Sequence, residues 1–254
     1  MLAVPLKSSL AALSAQSPVA TQAVPPVRTT GLTLQLDTRT ILRSIDLTIR
    51  PGEFVAILGA NGAGKSTLLR IISTIIRPSS GTLELFGQAV TRESAHLRSR
   101  IGLIAHQSML YRELSARENL LFFARLHNVP SPVTRVDNLL QVMGLAHRST
   151  DAIKTFSRGM VQRVAVARAL LHDPDLLLAD EPFDGLDAPS AESTGQLLTH
   201  LHGAGKTILL VNHDIASSLS LARRVIVLRQ GSIVLDTSSA GLTVQSILSE
   251  MSAT

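Results

Sequence analysis

The chain has 254 residues, 24 basic against 19 acidic side chains for a net charge of +5, and a hydrophobic fraction of 45% with few aromatics (3%) and no tryptophan. That size holds one large domain or two small ones, and a core of Leu, Ile, Val and Ala suits a parallel sheet covered by helices. The lack of cysteine excludes disulfides, thiolate metal sites and a cysteine nucleophile; no apolar run reaches the roughly 18 residues of a membrane-spanning helix, and no basic run interleaved with aromatics marks a nucleic-acid surface.

Residues 1–30 contain no Asp or Glu and are rich in Ala, Ser, Thr, Val and Pro, which predicts a poorly ordered extension. Lys7 and Arg28 are its only basic residues, a weak charge for a transit peptide, and its short Pro-broken apolar stretch does not make a secretory signal. Residues 31–36 and 45–49 alternate apolar and polar side chains, as half-buried antiparallel strands do. Pro51-Gly52 makes a turn, 53–58 reads as a buried strand, and a glycine-rich loop follows. A helix over 66–76 ends at the Pro78-Ser79-Ser80-Gly81 turn, and 82–86 and 101–104 read as further strands.

The middle of the chain changes character. The spacing of Leu120, Phe123 and Leu126 predicts a helix over 115–127, with Ser115 and Glu118 as a capping box. Residues 132–143 and 157–171 read as helices too. Strands return at 176–180, 207–212, 225–228 and 232–235, with a helix over 188–202 between two of them. This order predicts an α/β core over 31–240, a small helical subdomain at about 107–172 and a tail over 241–254.

Gly59-Ala60-Asn61-Gly62-Ala63-Gly64-Lys65-Ser66-Thr67 fits the phosphate-loop pattern GxxxxGK[ST], and it lies where that pattern requires, after a strand and opening a helix. Gly59, Gly62 and Gly64 let the backbone curl so that successive N–H groups, with Asn61 and Ala63 between them, line an anion-binding concavity. Lys65 is placed to reach β- and γ-phosphates, Ser66 to ligate Mg²⁺ and Thr67 to hold a phosphate oxygen. Downstream, an apolar strand ends in Asp180 and Glu181. A carboxylate at such a strand end suits Mg²⁺ or its water, and the next one suits a general base on attacking water. Alone, acids after a strand are ordinarily a solvated loop; the glycine loop upstream gives them a partner.

In this order the motifs resemble the nucleotide-binding subunit of an ABC transporter, a likeness that covers about residues 31–236. It implies ATP and Mg²⁺ as ligands, a P-loop NTPase core in which a mixed sheet meets an antiparallel β subdomain, and a small helical subdomain. It carries roles onto matching positions. Gln107 falls at the family's glutamine loop, which senses Mg²⁺ and attacking water and touches the membrane partner. Asp187 matches the last aspartate of the D-loop, and His213 the switch histidine at the γ-phosphate. Ser157 and Gly159, in Phe156-Ser157-Arg158-Gly159-Met160, match the signature that faces the nucleotide of an opposite copy. A serine hydroxyl, a glycine N–H and a helix N-terminus all favour an anion. Arg158 stands for the commoner glycine and Met160 for the commoner glutamine. The family's adenine-stacking aromatic falls, by spacing, at about Leu36, which lacks a π face.

The resemblance further implies a head-to-tail homodimer, separate transmembrane permease subunits contacted near residues 107–123, with Glu113 beside that groove, and a peripheral location on the cytoplasmic face of the inner membrane. The basic balance suits an anionic membrane face. Three segments, the signature with Val161-Gln162-Arg163, His106-Gln107-Ser108-Met109-Leu110-Tyr111, and Leu170-Leu171-His172-Asp173-Pro174, resemble the ATP-binding subunit of the haem exporter of cytochrome c maturation. ATPases of drug, polysaccharide or lipid exporters carry the same signature variant and remain open. Soluble ABC-type ATPases of ribosomes or DNA ordinarily carry two such domains or a coiled-coil insertion, and neither pattern occurs here.

Overall fold

A computed structural model describes residues 24–252 of the chain. Strands β1 (Val27–Leu36), β2 (Arg39–Ile49) and β4 (Ser80–Leu85), with the short β5 (Gln88–Ala89), form an antiparallel sheet in the order β2-β1-β4-β5. A second sheet takes β3 (Phe54–Leu58), β6 (Ile101–Ile104), β7 (Leu176–Asp180), β8 (Thr207–Val211), β9 (Arg224–Arg229) and β10 (Ser232–Ser238) in the order β10-β9-β3-β8-β7-β6. Its pairs are parallel except at β10, which returns antiparallel along β9.

The two sheets follow from side-chain alternation. Successive residues of a strand face opposite sides, and β3 is apolar at every position. Phe54, Ala56 and Leu58 join one core with the helices; Val55 and Ile57 join another with the antiparallel sheet. The same split runs through β7 (Leu177 against Leu176 and Leu178) and β8 (Ile208 and Leu210 against Leu209 and Val211). A strand buried on both faces has no polar side to show, which is why these segments read as continuous apolar runs. The antiparallel sheet covers the second core together with α1 (Lys65–Ile72), whose Leu68, Leu69, Ile71 and Ile72 are all buried.

The helical block comprises α2 (Ala116–Leu126), α3 (Pro132–Val142) and α4 (Arg158–Leu170). The predicted capping box is present: Ser115 Oγ accepts from Glu118 N, and the Glu118 carboxylate accepts from Ser115 N at 2.8 Å. Asn119, fully buried, gathers the preceding loop by donating to Tyr111 O at 2.9 Å while its own Oδ1 accepts from Tyr111 N at 2.8 Å. Helix α5 (Ala188–Gly203) precedes β8, and α6 (Ile215–Leu221) follows it.

Several boundaries differ from the sequence reading. β1 begins at Val27, inside the stretch whose composition predicts a poorly ordered extension. Val27 is fully buried, and Thr29 Oγ1 donates to Ile45 O at 2.8 Å, so residues 27–30 are held by neighbours on both sides that local composition cannot reveal. Residues 1–23 of that stretch lie outside the described residues. α1 stops at Ile72 rather than 76, because Thr74 turns into the left-handed region at φ 62°. The segment 241–254 carries a helix, α7 (Val244–Ser252), whose Ile247 is fully buried in the first core and whose Glu250 carbonyl accepts from Arg229 Nη1 at 3.0 Å. The short β5 and α6 were not foreseen.

Where the helical block meets β6, the His127 and His172 rings stack 4.1 Å apart. His172 Nε2 donates to Ile101 O at 2.9 Å, and its Nδ1 is buried without a partner, so the ring is neutral there. Burial, then His127, pushes His172 down to about 4. The unfolded chain therefore takes up a proton first, and stability present above about pH 6.5 is lost as pH falls towards 4. His172→Gln keeps a donor for Ile101 O and should remove about 3 kcal/mol of that acid sensitivity. Urea unfolding at pH 7.5 and pH 4.5 checks this; equal pH dependence in both proteins would refute it.

Candidate nucleotide site

The parallel strands deliver the candidate residues to one edge. β3 runs into the glycine loop, β7 ends in Asp180 and Glu181, and β8 is followed by Asn212 and His213. The carboxyl ends of parallel strands are where such sheets bind ligands. Gly59 must lack a side chain, since a Cβ there would lie 2.2 Å from Leu228 O. Ala63 O accepts from Gly231 N at 3.1 Å, so the β9–β10 turn braces the loop from behind. Gly64 N-caps α1 with no side-chain acceptor, leaving the helix's first N–H groups to a ligand. Asn61 and Gly62 are exposed at the loop's crest, and Thr67 is half-buried.

Lys65 is buried, 5% exposed, and its Nζ donates to Gly59 O at 2.8 Å and Ala60 O at 3.0 Å. The ammonium spans the loop it belongs to and can trade those carbonyls for phosphate oxygens. Burial lowers its pKa, while the Glu181 and Asp180 carboxylates oppose that shift. Ser66 Oγ donates to Asp180 Oδ1 at 2.9 Å. Burial raises the Asp180 pKa and the Ser66 hydrogen bond opposes it. A buried carboxylate whose charge is costly, touching a hydroxyl at a phosphate loop, is an oxygen donor pair suited to a hard divalent cation; the donor set fits Mg²⁺.

Glu181 sits at φ 53°, an unusual conformation for a side-chain-bearing residue. Its N–H donates to Val211 O at 2.9 Å. One carboxylate oxygen, Oε1, lies 2.5 Å from His213 Nε2, and Oε2 lies 3.4 Å from His106 Nδ1. His106 also lies 3.9 Å from Asp184 Oδ2. His106 was not picked out as a site residue from sequence. A lone histidine beside Gln107 gives no signal until β6 and β7 are paired.

The other predicted residues make their described contacts elsewhere. Gln107 is exposed on the loop after β6, and the neighbouring His106 is the residue that meets Glu181. Ser157 caps α4, its Oγ accepting from Met160 N at 3.3 Å, and Gly159 lies over Ser190 and Leu186. Asp187 caps α5, accepting from Ser190 N at 3.1 Å. Leu36, 52% exposed, ends β1 opposite Arg39.

The family model described as ABC transporter matches residues 42–184, more than half of the chain. The chain belongs to the ABC transporter family. The ABC transporter ATP-binding protein NatA of Bacillus subtilis is 38% identical over 196 residues, which covers 76% of this chain and 80% of NatA. The macrolide export ATP-binding/permease protein MacB of an Azoarcus species is 41% identical over 80% of this chain, which spans only 32% of MacB. The dimeric ATP-binding cassette MJ0796 bound to ADP and Pi superposes with a TM-score of 0.78 at 29% identity, covering 85% of this chain and all of that one. The α/β P-loop fold with its antiparallel sheet is thus that of an ABC cassette, and the chain is an ATP-binding ABC ATPase of the transport type.

Proposed function

We propose that this ABC ATPase energises a separate membrane permease by closing as a head-to-tail homodimer around ATP. The observation that carries the reading is the contact of Ser66 with Asp180 under the phosphate loop, next to a Glu181 held by His213. ATP lies along the loop with Lys65 at its outer phosphates, and Thr67 and the loop N–H groups take the remaining oxygens. Ser66, Asp180 and Gln107 would hold Mg²⁺ or its waters, and the bound ion would neutralise developing phosphate charge. Ser157 and Gly159 of one copy face the nucleotide of the other, and Asp187 lies at the seam. Glu181 takes the proton of the attacking water, with His213 fixing the carboxylate. Arg158 and Met160 leave these phosphate-facing groups intact.

Leu36 offers the adenine an aliphatic side chain only, so nucleotide affinity is modest and base selectivity loose. Leu36→Tyr should tighten ATP binding by about 1–3 kcal/mol, the usual gain from base stacking. Titrations with ATP and GTP check it, and an unchanged ATP affinity would refute the assignment.

The permease docks on the helical block. Met109, Tyr111, Phe122 and Leu126 leave large apolar side chains exposed there, Glu113 pairs with Lys154 at its margin, and such a patch marks an interaction surface. No described helix is long and apolar enough to cross a membrane; in the proposed complex the permease supplies the spanning helices, and the chain lies peripherally on the cytoplasmic face of the inner membrane. The segments resembling haem-exporter ATPases support haem as cargo of a cytochrome c biogenesis complex. A second reading, drug or antibiotic export, is favoured by relatives named for macrolide, daunorubicin and bacitracin. Nucleic acid has no part in either. Reconstitution with the permease in vesicles tests both: ATP hydrolysis should rise with the permease present and be uncoupled by Phe122→Asp, and transport of haem against a macrolide decides the cargo. Hydrolysis indifferent to the permease would overturn the reading.

A further inference from the structure

The signature helix does more than present Ser157 and Gly159. Its Arg158 Nη2 donates to Asp184 Oδ2 at 2.6 Å, across to the turn that follows Glu181. The guanidinium lies over Gly185, where a Cβ would stand 2.1 Å from its central carbon. Gly185, at φ 64°, thus leaves the space the arginine occupies. Gln162, one helical turn beyond Arg158 and on the same face, donates from Nε2 to Pro182 O at 3.0 Å. Two side chains of α4 therefore grip residues 182–185 from one side.

That turn is short and hydrogen-bonded. Asp184 N–H donates to Glu181 O at 3.1 Å, and Leu186 N–H to Phe183 O at 3.2 Å. Where Asp184 sits fixes the carbonyl of Glu181, whose backbone already holds φ 53°. An exposed ion pair adds little to stability, and the Arg158 side chain is 64% exposed. Its effect is geometric: it sets the distance between the signature helix and the turn bearing the carboxylate.

We infer that Arg158 is a positioning residue for Glu181. Through Asp184 it makes the α4 N-terminus and the Glu181 turn move as one body, so that engagement of the signature by a partner's nucleotide is passed to the base within the same chain. This rests on the proposed dimer, in which Ser157 and Gly159 meet that nucleotide. It differs from a role for Arg158 as a phosphate ligand, which would act on ATP affinity.

The test is a double-mutant cycle in steady-state ATP hydrolysis by the full chain, using Arg158→Ala, Asp184→Asn, the double variant and Arg158→Lys. Each single change should lower kcat about tenfold, as small misplacements of a reacting group do, with KM for ATP within about twofold of wild type. The double variant should fall no further than either single, and Arg158→Lys should recover most of the loss. Multiplying losses, a rise in KM confined to Arg158→Ala, or an unaltered kcat in both singles would each overturn the inference. The dimer itself is read separately, as ATP-dependent association of a Glu181→Gln chain. If that chain does not associate, the underlying reading fails whatever the cycle gives; if it does and the cycle is flat, only the role of Arg158 fails.

Discussion

Glu181→Gln will hydrolyse ATP about 10²–10⁴-fold more slowly than the native chain and accumulate as an ATP-bound dimer, the loss expected when a general base is removed. The amide is the same size as the carboxylate and can still meet His213 Nε2, which lies 2.5 Å from Oε1 in the native chain. What it cannot do is accept a proton from water. Neither Lys65 nor the Ser66–Asp180 pair is disturbed, so binding persists while turnover stops. Gel filtration with ATP and with ADP, beside a phosphate-release assay, reads both halves of the expectation. A variant that turns over at the native rate would remove Glu181 from the base's role and leave His213 as the candidate.

Lys65→Met will weaken nucleotide binding by about 30- to 100-fold, equivalent to about 2–3 kcal/mol for a charge-assisted contact to phosphate. Lys65 is 5% exposed and its stem is packed, so Met replaces the buried methylenes and removes only the ammonium. The carbonyls of Gly59 and Ala60 lose their donor, at 2.8 and 3.0 Å in the native chain, and the loop should open slightly towards water. A fluorescent ATP analogue titrated against both proteins measures the change. Affinity within about threefold of native would mean that the loop N–H groups alone carry the phosphates.

Much of this was legible in the chain itself, for physical reasons that differ by element. The central strands announced themselves because both faces are buried, and α2 because Ser115 and Glu118 form a local cap that needs no tertiary help. β1 was cut short because residues 27–30 owe their place to β2 and β4, far along the chain. The pattern of α7 is weak because only Ile247 is fully buried there, Met251 packs in part, and the apolar Val244 and Leu248 stay exposed. In the candidate site, fixed spacings carried Lys65, Ser66, Asp180 and Glu181. His106 and the Arg158–Asp184 bond carry no spacing rule: each spans separate elements, so it becomes visible only once β6, β7 and α4 are folded together.

The left-handed backbone at Glu181 sets thermal tolerance and turnover against each other at one position. Glycine adopts φ 53° without the penalty a side chain incurs, about 1 kcal/mol. A library of this chain selected only for survival on heating would enrich Glu181→Gly, and the survivors would be durable and inert. Any campaign to harden this protein has to score phosphate release alongside melting, because a residue that the scaffold holds at a backbone cost is the one proposed as the base.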